Sequence, residues 1–495
     1  MFNIILAKET PKGIPGNILF PVLLGLILAF VIYAIVSTKI ANKKNTESFL
    51  MKVWKKPTIK TIVASFISIV GGLLIGGIII LLLSGKKIGD TTISTNAGLG
   101  GLQLIIAGVF KTGGNVVSGF TFGWNGANIG NVLFNAMPLI MTGLSVAVAF
   151  KTGLFNIGAP GQYLVGTATT LILALSIPTT VVPVFLVWLI AFIGGIFAGA
   201  LWGAIPGFFK AFLNVNEVIT CIMLNWTAAN LVTLLFDQTT GPFRNLLDPS
   251  QTKNWAYVYK TAHNGVTTPK LGLDKIFVGS QVNAGIIIAI ILAIVVYIVL
   301  NKTTFGYELK ACGSNKYASK YAGINENRNI ILSMAIAGGL AGAGAALYYL
   351  SGNTEFGWNT YQTLPAIGFN GIPVALLATN SPLGVIFSAS FMAYLQVAGM
   401  ELKNNTPYNE HLTSIIIAVI VYFSAFSLLI KQALGKKHNF SKITNWFSKI
   451  FKAIINFFRK LFGKLCVKKH KRKKSIRPRL KRRKRTIMSN KGGRR

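Results

Sequence analysis

Long apolar runs alternate with short polar ones through most of this chain. A helix needs about 20 apolar residues to cross the hydrocarbon core of a bilayer. Runs of that kind fall near 17–37, 61–84, 130–150, 163–178, 181–203, 217–236, 282–300, 329–350, 363–379, 382–400 and 411–430. The pattern predicts an all-α fold, a polytopic transmembrane bundle of about 10–11 spans. Two segments interrupt it and echo one another: TGLFNIGAPGQYLVG at 152–166 and AIGFNGIPVALLATN at 366–380. Each runs Gly, aromatic, Asn, Gly, Pro. Backbone that leaves helical geometry at membrane depth must be buried in protein or line a wet cavity, because lipid cannot satisfy its polar groups. Broken helices in corresponding positions of two halves point to the substrate path of a transporter. The plainer reading is close packing through small residues, but that does not require the accompanying Asn156, Gln162 and Asn370.

A third departure is polar rather than broken. Residues 303–328 (TTFGYELKACGSNKYASKYAGINENR) are too basic to lie in lipid and too short to be a domain. They offer a helix-sized surface rich in small residues, suited to a soluble partner. After the last apolar run the period changes again. Ile443, Phe447, Ile450, Phe451, Ile454 and Phe458 recur at helical spacing while Lys442, Lys449, Lys452 and Lys460 occupy another face, which predicts an amphipathic helix on the inner leaflet. The expected divisions are an extra amino-terminal span with a basic loop (1–60), a transmembrane domain (61–430), the interfacial helix (431–466) and a disordered polybasic tail (467–495).

Composition agrees with a membrane protein: 52% of 495 residues are apolar, 13% are charged, and the mean hydropathy is +0.56. The net charge of +38 would suggest nucleic acid in a soluble protein. Here much of it sits in the tail, where anionic lipid headgroups are the expected partners; nucleic acid, such as a ribosome, is the weaker alternative. Basic residues also orient the chain. Lys39, Lys43, Lys44, Lys52, Lys55, Lys56 and Lys60 mark an inside loop, and alternation from it puts 302–328 and the tail inside with the amino terminus outside. The expected location is the plasma membrane. The first apolar run lacks a basic n-region and cleavage pattern, so it reads as a retained helix. Cys221, Cys312 and Cys466 are too scattered for a disulfide framework or a metal site.

Catalytic motifs are missing. No GxxxxGK[ST], HExxH or GxSxG occurs, so the chain is not expected to be an enzyme or to hold ATP, a metal or another cofactor. The spans are nearly devoid of ionisable groups. Only Lys151 and Glu217 come near membrane depth, which leaves little with which to couple transport to an ion gradient. Glu217 has two readings, a helix first-turn carboxylate or a transport group. A path lined by Asn156, Gln162, Asn225, Trp226 and Asn370, with Phe155, Asn216 and Glu217 beside it, would suit a neutral polar solute through hydrogen bonds and ring stacking.

Four stretches in order, GLFNIGAPGQ (153–162), VNEVITCIMLN (215–225), GYELKACGSNKYASKYAGIN (306–325) and GFNGIPVALLATNSPLG (368–384), resemble one family. It is the integral membrane permeases of bacterial ABC importers in the branched-chain amino acid, ribose and nucleoside group. The likeness covers roughly 60–430 and is greatest to nucleoside permeases of the guanosine type. It implies that Gly306, Glu308, Gly313, Asn315, Ala318, Ala322, Gly323 and Asn325 belong to the segment that couples to a separate ATPase, which uses ATP and magnesium. It implies as well a second permease subunit, an extracytoplasmic substrate-binding lipoprotein and a neutral nucleoside, with purine nucleosides first, as the solute. The chain departs from the family where GAEGQ usually stands, having Pro160, and where GFDGIAVALLGR often stands, having Asn370, Pro373, Ala378 and Thr379. The alternatives are an ion-coupled secondary carrier of nucleosides or sugars, and an ABC permease for ribose, another sugar or branched-chain amino acids.

Overall fold

A computed structural model of the chain describes residues 14, 15, 18, 71–81, 87, 88, 91, 92 and 95–425, except 238–239, 247–255, 258–264, 358–361 and 409. Apart from Ile18, the first predicted span lies outside the described residues, as do the amphipathic helix and the basic tail.

Among the described residues, besides the single turn Leu273–Ile276, the helices are α1 (Gly71–Leu81), α2 (Thr95–Ala107), α3 (Gly126–Lys151), α4 (Ala159–Ser176), α5 (Val184–Leu213), α6 (Glu217–Leu235), α7 (Gly285–Lys302), α8 (Thr304–Ser314), α9 (Lys316–Tyr321), α10 (Glu326–Tyr349), α11 (Ala366–Leu377), α12 (Pro382–Asn405) and α13 (Glu410–Ala425). Among the described residues six of them, α3, α5, α6, α7, α10 and α12, are long and apolar enough to cross a membrane. The predicted span at 163–178 begins four residues earlier, as α4, and that at 363–379 is the short α11. Residues 85–125, where no span is predicted, hold α2 and a hairpin, β2 (Lys111–Asn115) with β3 (Gly119–Phe122). The pairing is antiparallel, from Lys111 opposite Phe122 to Asn115 opposite Gly119, and the short β1 (Ile14–Pro15) adds to the free side of β3. The run Lys-Thr-Gly-Gly-Asn of β2 offers no helical period to find.

The bundle is built around α3 and α10. Of their apolar stretches 89% and 78% are buried, against 28–33% for α5, α6 and α7, which form the rim. α3 packs against α7, α10, α11 and α12, while α4 lies between α5, α6, α10 and α11. Glycine makes the closest approach possible. Gly195, Gly199, Gly203 and Gly207 recur every fourth residue along α5 and meet α10, where Gly338 and Gly342 face them. A Cβ on Gly199 would lie 2.4 Å from the Gly338 carbonyl oxygen, and one on Gly342 would lie 2.2 Å from that of Gly195. Between helices surrounded by lipid there is no hydrophobic effect to bring them together, so backbone proximity and dispersion carry the contact.

At one end of the bundle the hairpin is tied to helices. Lys111 Nζ donates to Glu401 Oε2 at 3.2 Å and to Asn405 Oδ1 at 2.7 Å, and Asn128 Nδ2 donates to Glu401 Oε1 at 3.1 Å. The hairpin, the first turn of α3 and the end of α12 thus share one polar cluster. The Tyr408 hydroxyl, just beyond α12, donates to the Ile80 carbonyl of α1 at 3.0 Å.

Candidate functional site

Within the first interrupted segment, residues 152–158 join α3 to α4. Gly153 takes a left-handed φ of +72° that reverses the chain, which costs glycine nothing and other residues about 1 kcal/mol or more. Asn156 and Gln162 then pair amide to amide: Asn156 Nδ2 donates to Gln162 Oε1 at 2.8 Å, and Gln162 Nε2 donates to Asn156 Oδ1 at 3.1 Å. Asn156 Nδ2 also donates to Ser145 Oγ at 3.0 Å, and its Oδ1 accepts from the Gly158 amide. Asn225 reaches in from α6. Its Oδ1 accepts from the Gly161 amide at 2.9 Å, one of the N–H groups that a helix start leaves without an intrahelical partner, and its Nδ2 donates to the Ile157 carbonyl at 3.0 Å. Pro160 sits in the first turn of α4, where its missing N–H is no loss.

Asn156, Gln162 and Asn225 are therefore brought together, but as a buried brace. Their exposures are 0%, 1% and 3%, and their amides are occupied by one another and by backbone. In this conformation they hold the break in shape. The echoing segment meets them through backbone: a Cβ on Gly368 of α11 would lie 2.4 Å from Pro160 Cα. Asn370, two residues on, is half-buried on α11. Phe155 is half-buried, its ring 5.2 Å from that of Phe150.

The remaining sequence candidates lie elsewhere. Asn216 is exposed and caps α6, its Oδ1 accepting from the Val218 amide at 2.9 Å. Glu217 pairs with Lys210 Nζ at 3.0 Å across the turn from α5 to α6. A first-turn carboxylate with a local partner fits the plainer of its two readings. Trp226 stands one position beyond buried Asn225 and turns outward, 56% exposed. Thr227 and Asn230 are exposed on the same helix. Asn230 was missed in the sequence because a lone Asn in an apolar run carries no period; its exposure distinguishes it.

The polar segment forms α8 and α9, each opened by a side-chain cap. Thr303 accepts from the Gly306 amide at 3.1 Å and Asn315 from that of Ala318 at 3.0 Å, and Asn325 caps the following α10 from the Arg328 amide at 3.1 Å. Gly306 abuts α7, where a Cβ would lie 2.1 Å from the Val299 carbonyl oxygen. Gly313 abuts the first break: a Cβ would lie 2.5 Å from the Lys151 oxygen and 2.8 Å from the Gly153 nitrogen. The Glu308 carboxylate accepts from Asn329 Nδ2 of α10 at 3.2 Å. Thr152 and Ser333 share a hydroxyl hydrogen bond between the break and α10. Outside these contacts runs a groove of about 550 Å³, lined by Tyr307, Glu308, Ala311, Ala318, Ala322 and neighbours. Gly323 is not in it. With φ +80° and nothing within 4 Å of where a Cβ would stand, it ends α9 as a turn glycine.

Residues 128–425 match the family described as the branched-chain amino acid transport system / permease component, a match over more than half of the chain. The chain belongs to this family. It is a permease, a multi-pass helical membrane protein and a transport component. Among relatives of this permease, the guanosine ABC transporter permease protein NupP of Bacillus subtilis is 33% identical over 68% of this chain and 92% of its own length. The nucleoside ABC transporter permease protein NupB of Lactococcus lactis is 37% identical over 62% of this chain and 82% of its own. The glucose ABC transporter permease protein TsgB13 of Haloferax volcanii is 30% identical over 61% and 77%. No solved structure matches the permease.

Proposed function

We propose that this permease is the membrane-spanning subunit of an ATP-driven importer of nucleosides, purine nucleosides first. The observation that carries the coupling half of this reading is the contact of Gly313 with residues 151–153. An ATPase seated in the α8–α9 groove, binding ATP and magnesium, would move α8 as a rigid body. That movement reaches the break between α3 and α4 without an intervening side chain. The brace of Asn156, Gln162 and Asn225 passes it on to α4 and α6. Packed elements with two discrete arrangements amplify a shift of this kind, since a close-packed interior does not deform continuously.

The solute half rests on the relatives named for guanosine and nucleosides and on the outward face of α6. Trp226 and Asn230 lie about 14 and 20 Å along the helix from its start, well inside a bilayer of about 30 Å. Lipid cannot satisfy an exposed amide there. A wetted path closed on its other side by a second permease subunit can, with Trp226 to stack on a base and Asn230 to hydrogen-bond it. In this reading the α8–α9 groove faces the cytoplasm, and an extracytoplasmic lipoprotein delivers the solute to the other side.

The test is uptake of radiolabelled guanosine in cells with and without this chain, with adenosine, uridine and ribose as competitors. Loss on deletion, with competition by nucleosides and not by ribose, is the expected result. Competition by ribose or glucose alone would replace the nucleoside by a sugar, which the relative named for glucose favours.

A further inference from the structure

The turn that joins α11 to α12 is strained. Crossed backbone hydrogen bonds close the end of α11: the Thr379 amide donates to the Leu376 carbonyl at 2.9 Å and the Asn380 amide to that of Ala375 at 2.8 Å. Bonds crossed in this way need a left-handed residue just past the helix, and glycine is its usual occupant. Here Thr379 holds φ +50° and Asn380 follows at +57°. The non-glycine residues with left-handed backbone among the described residues are Asn214, Leu271, Thr379 and Asn380. Asn enters that region with little difficulty, whereas a side chain branched at Cβ is crowded by it. Thr379 alone among them is so branched. Beside it Asn380 Oδ1 is buried and accepts no hydrogen bond among the described residues. Strain next to an unsatisfied acceptor persists only where the surrounding packing over-determines both.

Inside α11, Pro373 has no N–H to offer the Phe369 carbonyl, so the helix is weakened between its ends. Different parts of the bundle hold α11 and α12. The first half of α11 is pressed on the first break and on α3: a Cβ on Gly368 would lie 2.4 Å from Pro160 Cα, and one on Gly371 would lie 2.6 Å from the Thr142 carbonyl carbon. α12 is held at its far end, where Glu401 accepts from Lys111 of the hairpin and Asn128 of α3. Between these anchors Ser388 Oγ of α12 donates to the Val374 carbonyl at 2.8 Å. That bond sets a fulcrum, about which α11 can tilt but not slide. A tilt that carries Gly368 along with the break changes the angle between α11 and α12, and the backbone of Thr379 and Asn380 sets that angle.

We infer that residues 378–381 are the hinge on which α11 tilts against α12 during transport, with Thr379 as a positioning residue. Its strain raises the energy of the present angle and so eases departure from it, since two states exchange population according to the difference between them. This rests on the importer reading, because the movement that works the hinge enters at the first break and reaches α11 through Gly368.

Thr379→Gly and Thr379→Asn test it, as both residues enter the left-handed region at little cost. Asn controls for the extra freedom that Gly gains when the turn opens. Thr379→Val keeps the branched Cβ and loses only the hydroxyl. In the purified full chain in detergent, hydrogen exchange at the amides of residues 379 and 380 is expected to slow about ten-fold in the Gly and Asn variants, with α12 beyond Ser388 unchanged. In cells both variants should reach the membrane and lower the maximal rate of guanosine uptake about three-fold or more. Thr379→Val should stay within about two-fold of the parent on both measures. Slower exchange with uptake equal to the parent would overturn the hinge while leaving the importer intact. Exchange unchanged in both variants would remove the strain on which the proposal stands. Loss from Thr379→Val as large as that from Thr379→Gly would assign the effect to the hydroxyl and overturn the positioning role. A parent that takes up no guanosine would count against the solute reading alone, because the exchange measurement needs no solute and equal exchange would still overturn the hinge.

Discussion

At the scale of single residues, the brace and the coupling contact make opposite predictions. Asn156→Leu or Gln162→Leu strands the partner's amide in a buried site, and each is expected to cost about 1–3 kcal/mol. The double substitution removes both amides, so its cost should fall short of the sum by about 1 kcal/mol. Thermal unfolding of the purified chain in detergent checks this, and strict additivity would count against the pairing. Gly313→Val places methyl groups where the Lys151 oxygen and Gly153 nitrogen stand. It should cut ATP-coupled uptake at least ten-fold while the chain still reaches the membrane. Gly323→Ala meets nothing and bears only the left-handed backbone, about 1 kcal/mol, so its uptake should stay near that of the parent. Equal loss from the two substitutions would show that the α8 contact has no special share in coupling. Both glycines look alike in the sequence, as small residues in one basic segment. Only the fold shows that one is pressed against a backbone and the other stands in solvent.

At the scale of elements, the glycine row of α5 was open to a reader of the sequence, as a fourfold repeat of the small-residue spacing at 195, 199, 203 and 207. The row on α10 that it faces is less regular, and nothing local says which helix receives it. Gly199→Leu should force α5 from α10 and destabilise the bundle by about 3 kcal/mol, seen as a lowered unfolding midpoint in a fixed detergent. A loss no larger than that of an exposed rim change such as Phe197→Leu would show that the helices do not meet there. The two interrupted segments were legible as breaks because Gly, Asn and Pro in an apolar run are hard to place otherwise. Their joining at Gly368 and Pro160 was not, since some two hundred residues of chain separate them.

At the scale of the whole molecule, the near absence of charge in the described spans bears on the source of energy. Glu217 is paired with Lys210 near one end of α6, and the acidic side chain of the hairpin cluster, Glu401, is held by Lys111 and two amides. Both carboxylates are already engaged by a lysine, and Glu401 by two amides as well. Guanosine uptake should therefore persist when an uncoupler collapses the ion gradient with ATP maintained, and stop when ATP is depleted. The reverse result would restore the secondary-carrier alternative.

Apolar length, basic loops and helix breakers are enough to give the class of this protein, because each answers to the bilayer locally. The solvent imposes those rules residue by residue, so no knowledge of neighbours is needed to apply them. What the polar residues do was decided only by tertiary structure. An Asn at membrane depth must be satisfied, but whether by a solute, by water or by another amide depends on what lies opposite. For Asn156, Gln162 and Asn225 it is one another and the backbone of a broken helix; for Trp226 and Asn230 it is the outside of the protomer.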